Sequence, residues 1–355
     1  MKLAYVLPVP PTGDGPAARA AAWPHNQRLL QLLADRHGIE AHAVWPSTVE
    51  ATATIGAVTH HTTASVARVV RALGPDVVHL NGLVFPRLAW ALRRAAGRGA
   101  RVVAQHHGEL VPVGARRRLV ACRTQRSVVD RFLFCGLPGQ ADPWRAARVL
   151  GPRTPVAEVL EASTDLVAER AAAAPVGPTG GGERDGHPDG GPDVLWVGRW
   201  HADKDVATVL DGFTRFTRQR PGARLWLAGG EGPPPFDLPD RVRTLGRLAQ
   251  VELAGWYAAC PLLVSASRHE GSGYAVIEAM ANGCLPVLSD LPSHRAIAAE
   301  VAEHFPVGDA AALADALGRA AGRAAEPGCR ASVRARFDAA LTWEAVADQL
   351  VAAYR

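Results

Sequence analysis

Short unbroken apolar runs punctuate this chain, and they narrow its fold more than any other feature. In the first half they are LAYVL at 3–7, AHAVW at 41–45, DVVHL at 76–80 and RVVAQH at 101–106, separated by segments with helical spacing near 26–36, 64–73 and 87–97. A strand with one face in water alternates apolar and polar residues. A run of about five apolar residues without alternation belongs to a strand covered on both faces, as in a parallel sheet flanked by helices. The second half repeats the scheme with DVLWVG at 193–198, ARLWLAG at 223–229, RVRTLG at 241–246, PLLVSAS at 261–267 and CLPVLS at 284–289, with helices near 206–218, 250–258 and 275–282. The fold class expected is α/β, two Rossmann-like doubly wound domains. Such sheets bind ligands at the carboxyl ends of their strands, so function is sought in a cleft that both domains face.

A length of 355 residues accommodates two cores of this kind. From Ala174 to Pro192 the chain reads APVGPTGGGERDGHPDGGP, where Gly, Pro and charge displace apolar residues, so this stretch is read as a linker. It divides an N-terminal domain (1–173) from a C-terminal one (193–336). The remainder has helical periodicity in Val333, Phe337, Leu341, Val346, Leu350 and Val351, with Thr342 placed to cap a final helix.

With 48% hydrophobic and 21% charged residues, wholesale disorder is excluded. A net charge of +5 suits an anionic ligand but is too small for nucleic-acid coating, and no nucleic-acid partner is expected. Five cysteines without a C-x-x-C pair give neither a disulfide framework nor a zinc knuckle, which fits a reducing cytoplasm. The first apolar stretch, Leu3 to Leu7, is too short for a signal peptide or a membrane span.

The stretch richest in chemistry is SRHEGSGYAVIEAMANGCLPVLSD at 267–290. Gly271 and Gly273 make a turn that opens a helix near Tyr274, and a helix N-terminus offers backbone N–H groups and positive potential to a phosphate or sugar oxygen. Glu270 stands at the strand end, and Glu278 lies one turn into the helix. Each carboxylate has acceptors enough to grip a vicinal diol. The alternative is that Glu278 is paired within its helix and the glycines only make the turn.

Together with VLWVGRWHADKDVATVLDGF at 194–213 and LWLAGGEGP at 225–233, this stretch resembles the C-terminal domain of glycosyltransferase family 4, enzymes of GT-B architecture. GPDVVHLNG at 74–82, VVAQHHGE at 102–109 and VAEVLEASTDL at 156–166 extend the resemblance more weakly through the first half. It implies a retaining transfer from a nucleotide diphosphate sugar, UDP first, to a hydroxyl of a small polar acceptor, without metal or other cofactor. It also implies that the last helix, 337–355, crosses back to the N-terminal domain.

By position, Arg199 and Lys204 match the basic pair that grips the diphosphate, and Gly13 and Gly15 match loosely a glycine pair close to it. Glu278 matches the glutamate on the ribose, and Glu270 the one facing the donor sugar. Gly273, Tyr274 and Ala275 match the backbone stretch on sugar and diphosphate, although Ser272 and Tyr274 replace residues the family usually has. Arg247 lies near the expected base. His107 matches the histidine facing the sugar, with neighbouring His106 as the competing assignment. Glu109 is a candidate for holding the acceptor.

Asp203, Lys204 and Asp205 spell D-x-D, but so few oxygen ligands in a phosphate loop argue against a metal. Arg116, Arg117, Arg118, Arg123, Arg126 and Arg131 alternate with Leu119, Val120, Val128, Val129 and Phe132. An amphipathic helix over 116–132 would rest on an anionic membrane, which opens the alternative of a lipid acceptor. A catalytically silent sugar-nucleotide binder is the other alternative. Oligomeric state is not legible.

Overall fold

A computed structural model of the chain describes residues 1–8, 15–163, 191–230 and 232–355. Gly13 and nearly all of the expected linker lie outside the described residues. The chain forms two compact units, Met1–Leu160 with Trp343–Arg355, and Glu161–Thr342.

Unit 1 begins with β1 (Lys2–Val6), α1 (Pro16–Ala22), α2 (Pro24–His37), β2 (Glu40–Pro46), β3 (Ala51–Ile55), β4 (Val58–Thr63), α3 (Val66–Leu73) and β5 (Val77–Asn81). It continues with α4 (Pro86–Ala96), β6 (Arg101–Gln105), α5 (Arg116–Arg123), β7 (Arg131–Phe134), α6 (Asp142–Ala146) and β8 (Val156–Glu158). The sheet order is β3-β4-β2-β1-β5-β6-β7-β8, parallel throughout except where β3 runs against β4. β1 is flanked by β2 (Leu3↔Ala41) and β5 (Leu3↔Val77), so the strand order turns around between β1 and β5. Val78, Leu80, Val102, Ala104, Phe132 and Phe134 are fully buried, as unalternating runs require.

Residues 51–63, between the apolar run at 41–45 and the helical segment near 64–73, are the β3–β4 hairpin. ATATI alternates half-exposed with exposed positions on the sheet edge, so its small Thr and Ala residues give no apolar signal.

The helix expected over 116–132 is also corrected. α5 ends at Arg123, a 3-10 turn spans Thr124–Ser127, and Val128, Val129 and Phe132 are buried in the unit 1 core. Those apolar residues were counted toward a membrane face, yet the sheet claims them.

Unit 2 holds β9 (Asp193–Gly198), α7 (Val206–Thr217), β10 (Arg224–Gly229), β11 (Val242–Gly246), α8 (Gln250–Ala259), β12 (Leu262–Ser265) and α9 (Tyr274–Ala281). β13 (Leu285–Ser289), α10 (Pro292–Ala298), β14 (Glu303–Phe305), α11 (Ala310–Ala324) and α12 (Cys329–Ala340) complete it. Its sheet is wholly parallel, in the order β11-β10-β9-β12-β13-β14.

The last helix, α13 (Trp343–Tyr354), belongs to unit 1. It starts at Trp343 rather than at residue 337, because Phe337 finishes α12 and is buried there. Its apolar face of Trp343, Val346, Ala347, Leu350 and Val351 is buried. Arg131 and Arg101 donate to its last carbonyls, Ala353 O at 2.7 Å and Tyr354 O at 2.8 Å, where the negative end of a helix dipole favours cations.

Candidate functional site

In unit 2 the strand order turns around between β9 and β12, so the loops after these two strands diverge and leave a ligand crevice at their carboxyl ends. The loop after β9 carries Arg199 and Lys204, and the loop after β12 carries Glu270 and Gly273. The structure ties the two loops together. Arg268 N–H donates to Asp203 O at 2.7 Å, and the Arg268 guanidinium meets buried Asp205 at 2.8 Å. Asp205, with φ of 44°, accepts from Thr208 Oγ1 at 2.8 Å and caps α7. The outer acids of D-x-D therefore fasten the loop, and Lys204 between them is delivered to the crevice.

Lys204 Nζ lies 2.5 Å from Glu270 Oε2. Ser267 Oγ donates to the same oxygen at 3.3 Å, and Gly273 N–H donates to Oε1 at 3.4 Å. Burial pushes the Glu270 carboxyl up, but the Lys204 ammonium outweighs it and holds the group below the usual carboxylate range. Ser293 Oγ donates to the Glu270 carbonyl at 2.8 Å. His294, fully buried beside this pair, donates from Nδ1 to Ser289 O at 2.8 Å; burial lowers its pKa to about 4 and keeps the ring neutral. Arg199 is exposed and has no ion pair among the described residues.

Gly273 caps α9 with a φ of 65°, and a Cβ there would stand 2.6 Å from Ile297 Cδ1. Only glycine makes this turn without moving α10. Tyr274 and Ala275 are the first two helical residues, with their N–H groups directed out of the N-terminal end. Glu278, one turn on, accepts from Tyr257 OH and Ser163 Oγ, both at 3.1 Å. These two donors orient the Glu278 carboxylate. Arg247 is exposed just beyond β11, two strands from β9.

Behind the crevice, Gly229 (φ of 105°) ends β10 so close to β9 that a Cβ would meet Gly198 O at 2.1 Å. Trp200 stacks on Trp196 beside it, ring centroids 5.2 Å apart.

In unit 1, β6 delivers His106, His107 and Glu109. His106 is a structural residue: it is buried, its Nδ1 accepts from Gly108 N–H at 3.4 Å, and Nε2 lies 3.0 Å from Glu109 O. That pattern puts its proton on Nε2 and excludes it from the competing assignment. His107 is half-buried, and its backbone N–H donates to Glu109 Oε2 at 2.7 Å. Glu109, the candidate for holding the acceptor, also has a task within unit 1. Its Oε1 accepts Leu83 N–H at 2.9 Å while Oε2 takes His107 N–H, so its carboxylate clamps the β5 and β6 loops together. Gly15 is the N-cap of α1, with φ of 94°.

Sequence reasoning missed Tyr257, Ser163, Ser267 and His294. Tyr257, Ser163 and His294 reach the two glutamates by tertiary contact without a local signal, whereas Ser267 lies three residues before Glu270 in the same stretch.

Residues 191–322 match the family model described as glycosyl transferases group 1. That match supports a glycosyltransferase. The GDP-mannose:cellobiosyl-diphosphopolyprenol alpha-mannosyltransferase of Xanthomonas campestris is 31% identical over 124 residues, covering 31% of this chain and 32% of that protein. The mannosylfructose-phosphate synthase of Agrobacterium fabrum is 35% identical over 112 residues, covering 27% and 25%. The chain thus spans about a third or less of the length of these curated relatives.

Solved structures match along the whole chain. Sucrose-phosphate synthase from Thermosynechococcus elongatus has a TM-score of 0.70 at 20% identity, covering 100% of this chain and 98% of that one. Anabaena HepE, in complex with UDP and glucose, has 0.63 at 15%, covering 99% of each. An E. coli trehalose-6-phosphate structure bound with UDP-2-fluoro glucose has 0.68 at 12%, covering 100% and 99%. These likenesses establish the GT-B fold, two parallel-sheet α/β units.

Proposed function

We propose that the chain is a retaining glycosyltransferase of family 4 that transfers a sugar from a nucleotide diphosphate donor, UDP first, to a hydroxyl of a small polar acceptor. The observation that carries this reading is the Lys204–Glu270 pair at the β9/β12 switch point of unit 2, within the segment that matches the family model. A nucleotide diphosphate bears more negative charge than one carboxylate and competes for the Lys204 ammonium. Glu270, released toward the sugar, then acts by charge and position. Lys204 and Arg199 stabilise the charge that develops on the leaving diphosphate, each charged hydrogen bond contributing about 1.5–3 kcal/mol. The acceptor hydroxyl attacks from the face the diphosphate leaves and gives its proton to the departing phosphate, which preserves the anomeric configuration without a covalent nucleophile. Glu278 and the amides of Gly273, Tyr274 and Ala275 hold the ribose and the sugar-diphosphate. Arg247 is assigned to the base, and Gly13 and Gly15 to the diphosphate. His107, in unit 1, is assigned to the donor sugar.

Metal independence follows the same logic. Lys204 and Arg199 supply the positive charge, while Asp205 is spent on α7 and Arg268. Among the described residues no group of three or more His, Cys, Asp and Glu gathers as for a metal ion, and no helix is long and apolar enough to cross a membrane.

A thermal-shift panel of UDP, GDP, ADP and dTDP and their sugar conjugates, with and without EDTA, tests the proposal. A nucleotide at about 100 times its dissociation constant stabilises by about 2.7 kcal/mol. A selective shift that survives EDTA and is lost in Lys204→Met supports it. A shift abolished by EDTA overturns the metal-independent part, and no shift from any nucleotide overturns the whole in favour of a scaffold.

A further inference from the structure

The positive charge of this protein is concentrated in one segment of unit 1. Residues 115–155 hold nine arginines against two aspartates, a net +7, whereas the whole chain carries +5, so everything outside the segment is net acidic. Arg116, Arg117, Arg118, Arg148 and Arg153 are exposed and have no ion pair among the described residues. Folding brings two exposed parts of the segment together. Arg123 Nε donates to Ala147 O at 2.8 Å and Arg126 donates to Arg148 O at 3.4 Å, which joins α5 and the turn after it to residues 145–155. Beside this seam Arg126, Gly151, Pro152, Arg153, Thr154 and Pro155 line an open groove of about 430 Å³.

Large apolar side chains stand out from the same region. Leu110 is 66% exposed, Val113 75%, Val120 51% and Trp90 42%. Leu110 and Val113 lie on the loop leading into α5, Val120 lies on α5, and Trp90 is fastened beside it by Nε1 donating to Thr124 Oγ1 at 2.9 Å. Aliphatic side chains this exposed, rimmed by arginines, mark an interaction surface rather than ordinary scatter.

We infer that this face docks on an anionic lipid surface, with Leu110 and Val113 entering the headgroup boundary and the arginines of 116–118, 148 and 153 engaging lipid phosphates. The apolar residues are not those a continuous helix over 116–132 would present, because Val128, Val129 and Phe132 are core. A short helix and its leading loop carry the contact instead. Charge complementarity selects an anionic partner. The exposed aliphatic pair selects lipid over nucleic acid, whose phosphate backbone offers Leu110 and Val113 nothing to bury against, and the face has no row of aromatics on which bases stack. The inference does not depend on unit 2 being a transferase site.

Co-sedimentation of the full chain with vesicles of mixed phosphatidylcholine and phosphatidylglycerol, against phosphatidylcholine alone, tests it. Binding should require the anionic lipid and weaken with salt. R116Q/R117Q/R118Q should lower the partition coefficient about a hundredfold, at about fivefold per arginine. L110S/V113S should lower it about tenfold and leave the salt dependence in place. Both variants alter exposed positions, so an unchanged melting temperature separates lost docking from lost fold. Wild-type chain that stays in the supernatant with anionic vesicles overturns the inference. So does L110S/V113S that sediments like wild type while the chain binds an RNA oligonucleotide with the same salt dependence, which would assign the face to nucleic acid.

Discussion

Replacing Lys204 by Met separates what this residue does for the fold from what it does for a ligand. Glu270 has a side chain 16% exposed and sits 2.5 Å from the Lys204 ammonium. Removing the cation leaves a carboxylate with weaker donors, Ser267 and Gly273 among them. Leaving a buried charged acceptor so poorly matched costs about 1–3 kcal/mol, which in a unit of this size lowers the melting temperature by roughly 3–10 °C. The same substitution removes one charged hydrogen bond to a diphosphate, about 1.5–3 kcal/mol, or a 10- to 150-fold loss in nucleotide affinity. Lys204→Met/Glu270→Gln should recover most of the stability, because the stranded charge is gone, but none of the affinity, because the cation is still missing.

The pH dependence shifts as well. In the wild type Glu270 is held below its ordinary value, so its contribution is present above pH 4.5 and is lost as pH falls through the folded pKa. In Lys204→Met burial is opposed only by smaller influences such as the Gly273 N–H and His294, so that pKa stands above its wild-type value, and lowering the pH should stabilise the single variant relative to the wild type. Denaturant unfolding across pH and calorimetric titration with UDP read both effects. A double variant that regains UDP affinity, or a single variant that binds UDP as tightly as wild type, refutes the reasoning.

Three other outcomes are expected. Glu109→Ala should destabilise the chain by about 2–3 kcal/mol while leaving UDP affinity unchanged, since it strands two backbone N–H groups, of Leu83 and of His107, and His107 is assigned to the donor sugar and not to UDP; unchanged stability with a raised acceptor KM would show that its task is the acceptor and not the fold. Gly229→Ala forces a Cβ to 2.1 Å from a carbonyl oxygen at a φ of 105° and should cost more than about 3 kcal/mol, whereas Gly322→Ala, with open space around a helical glycine, should gain up to about 1 kcal/mol in urea denaturation. Burial holds His79 at about 3 and His60 and His294 at about 4, all below their ordinary value. Unfolding hands each a proton, so stability should be full above pH 6.5 and fall toward pH 4, by on the order of 2 kcal/mol per histidine at pH 5; His79→Gln should flatten that slope, and an unaltered slope would show that His79 is not part of it.

The unalternating runs at 3–7, 76–80, 101–106, 193–198 and 261–267 became parallel strands buried on both faces, and their order around the Gly/Pro-rich stretch gave two α/β units. A run of apolar residues has few other ways to be satisfied, and for that reason the fold class was legible. The glycine turn before Tyr274 was legible for a similar local reason: a helix start with φ of 65° and an isoleucine within reach of any Cβ permits little besides glycine. The β3–β4 hairpin was not, because an edge strand built of Thr and Ala carries no hydrophobic pattern.

Tertiary structure alone decided the employment of individual polar groups. Sequence set Glu109 two residues after His107 and Lys204 sixty-six residues before Glu270, but separation along a chain says nothing about which backbone amide or ammonium a carboxylate will meet. Parallel topology carried Glu109 across to Leu83 and made it a clamp, and it carried Lys204 across to Glu270 at the switch point. It also drew Val128, Val129 and Phe132 into the core while leaving Leu110 and Val113 in water. The burial of an unbroken apolar run is set by local composition and so can be read along the chain; the burial of scattered apolar residues and the pairing of charges and hydrogen-bonding groups depend on distances of a few ångströms between elements, which only the completed sheets fix.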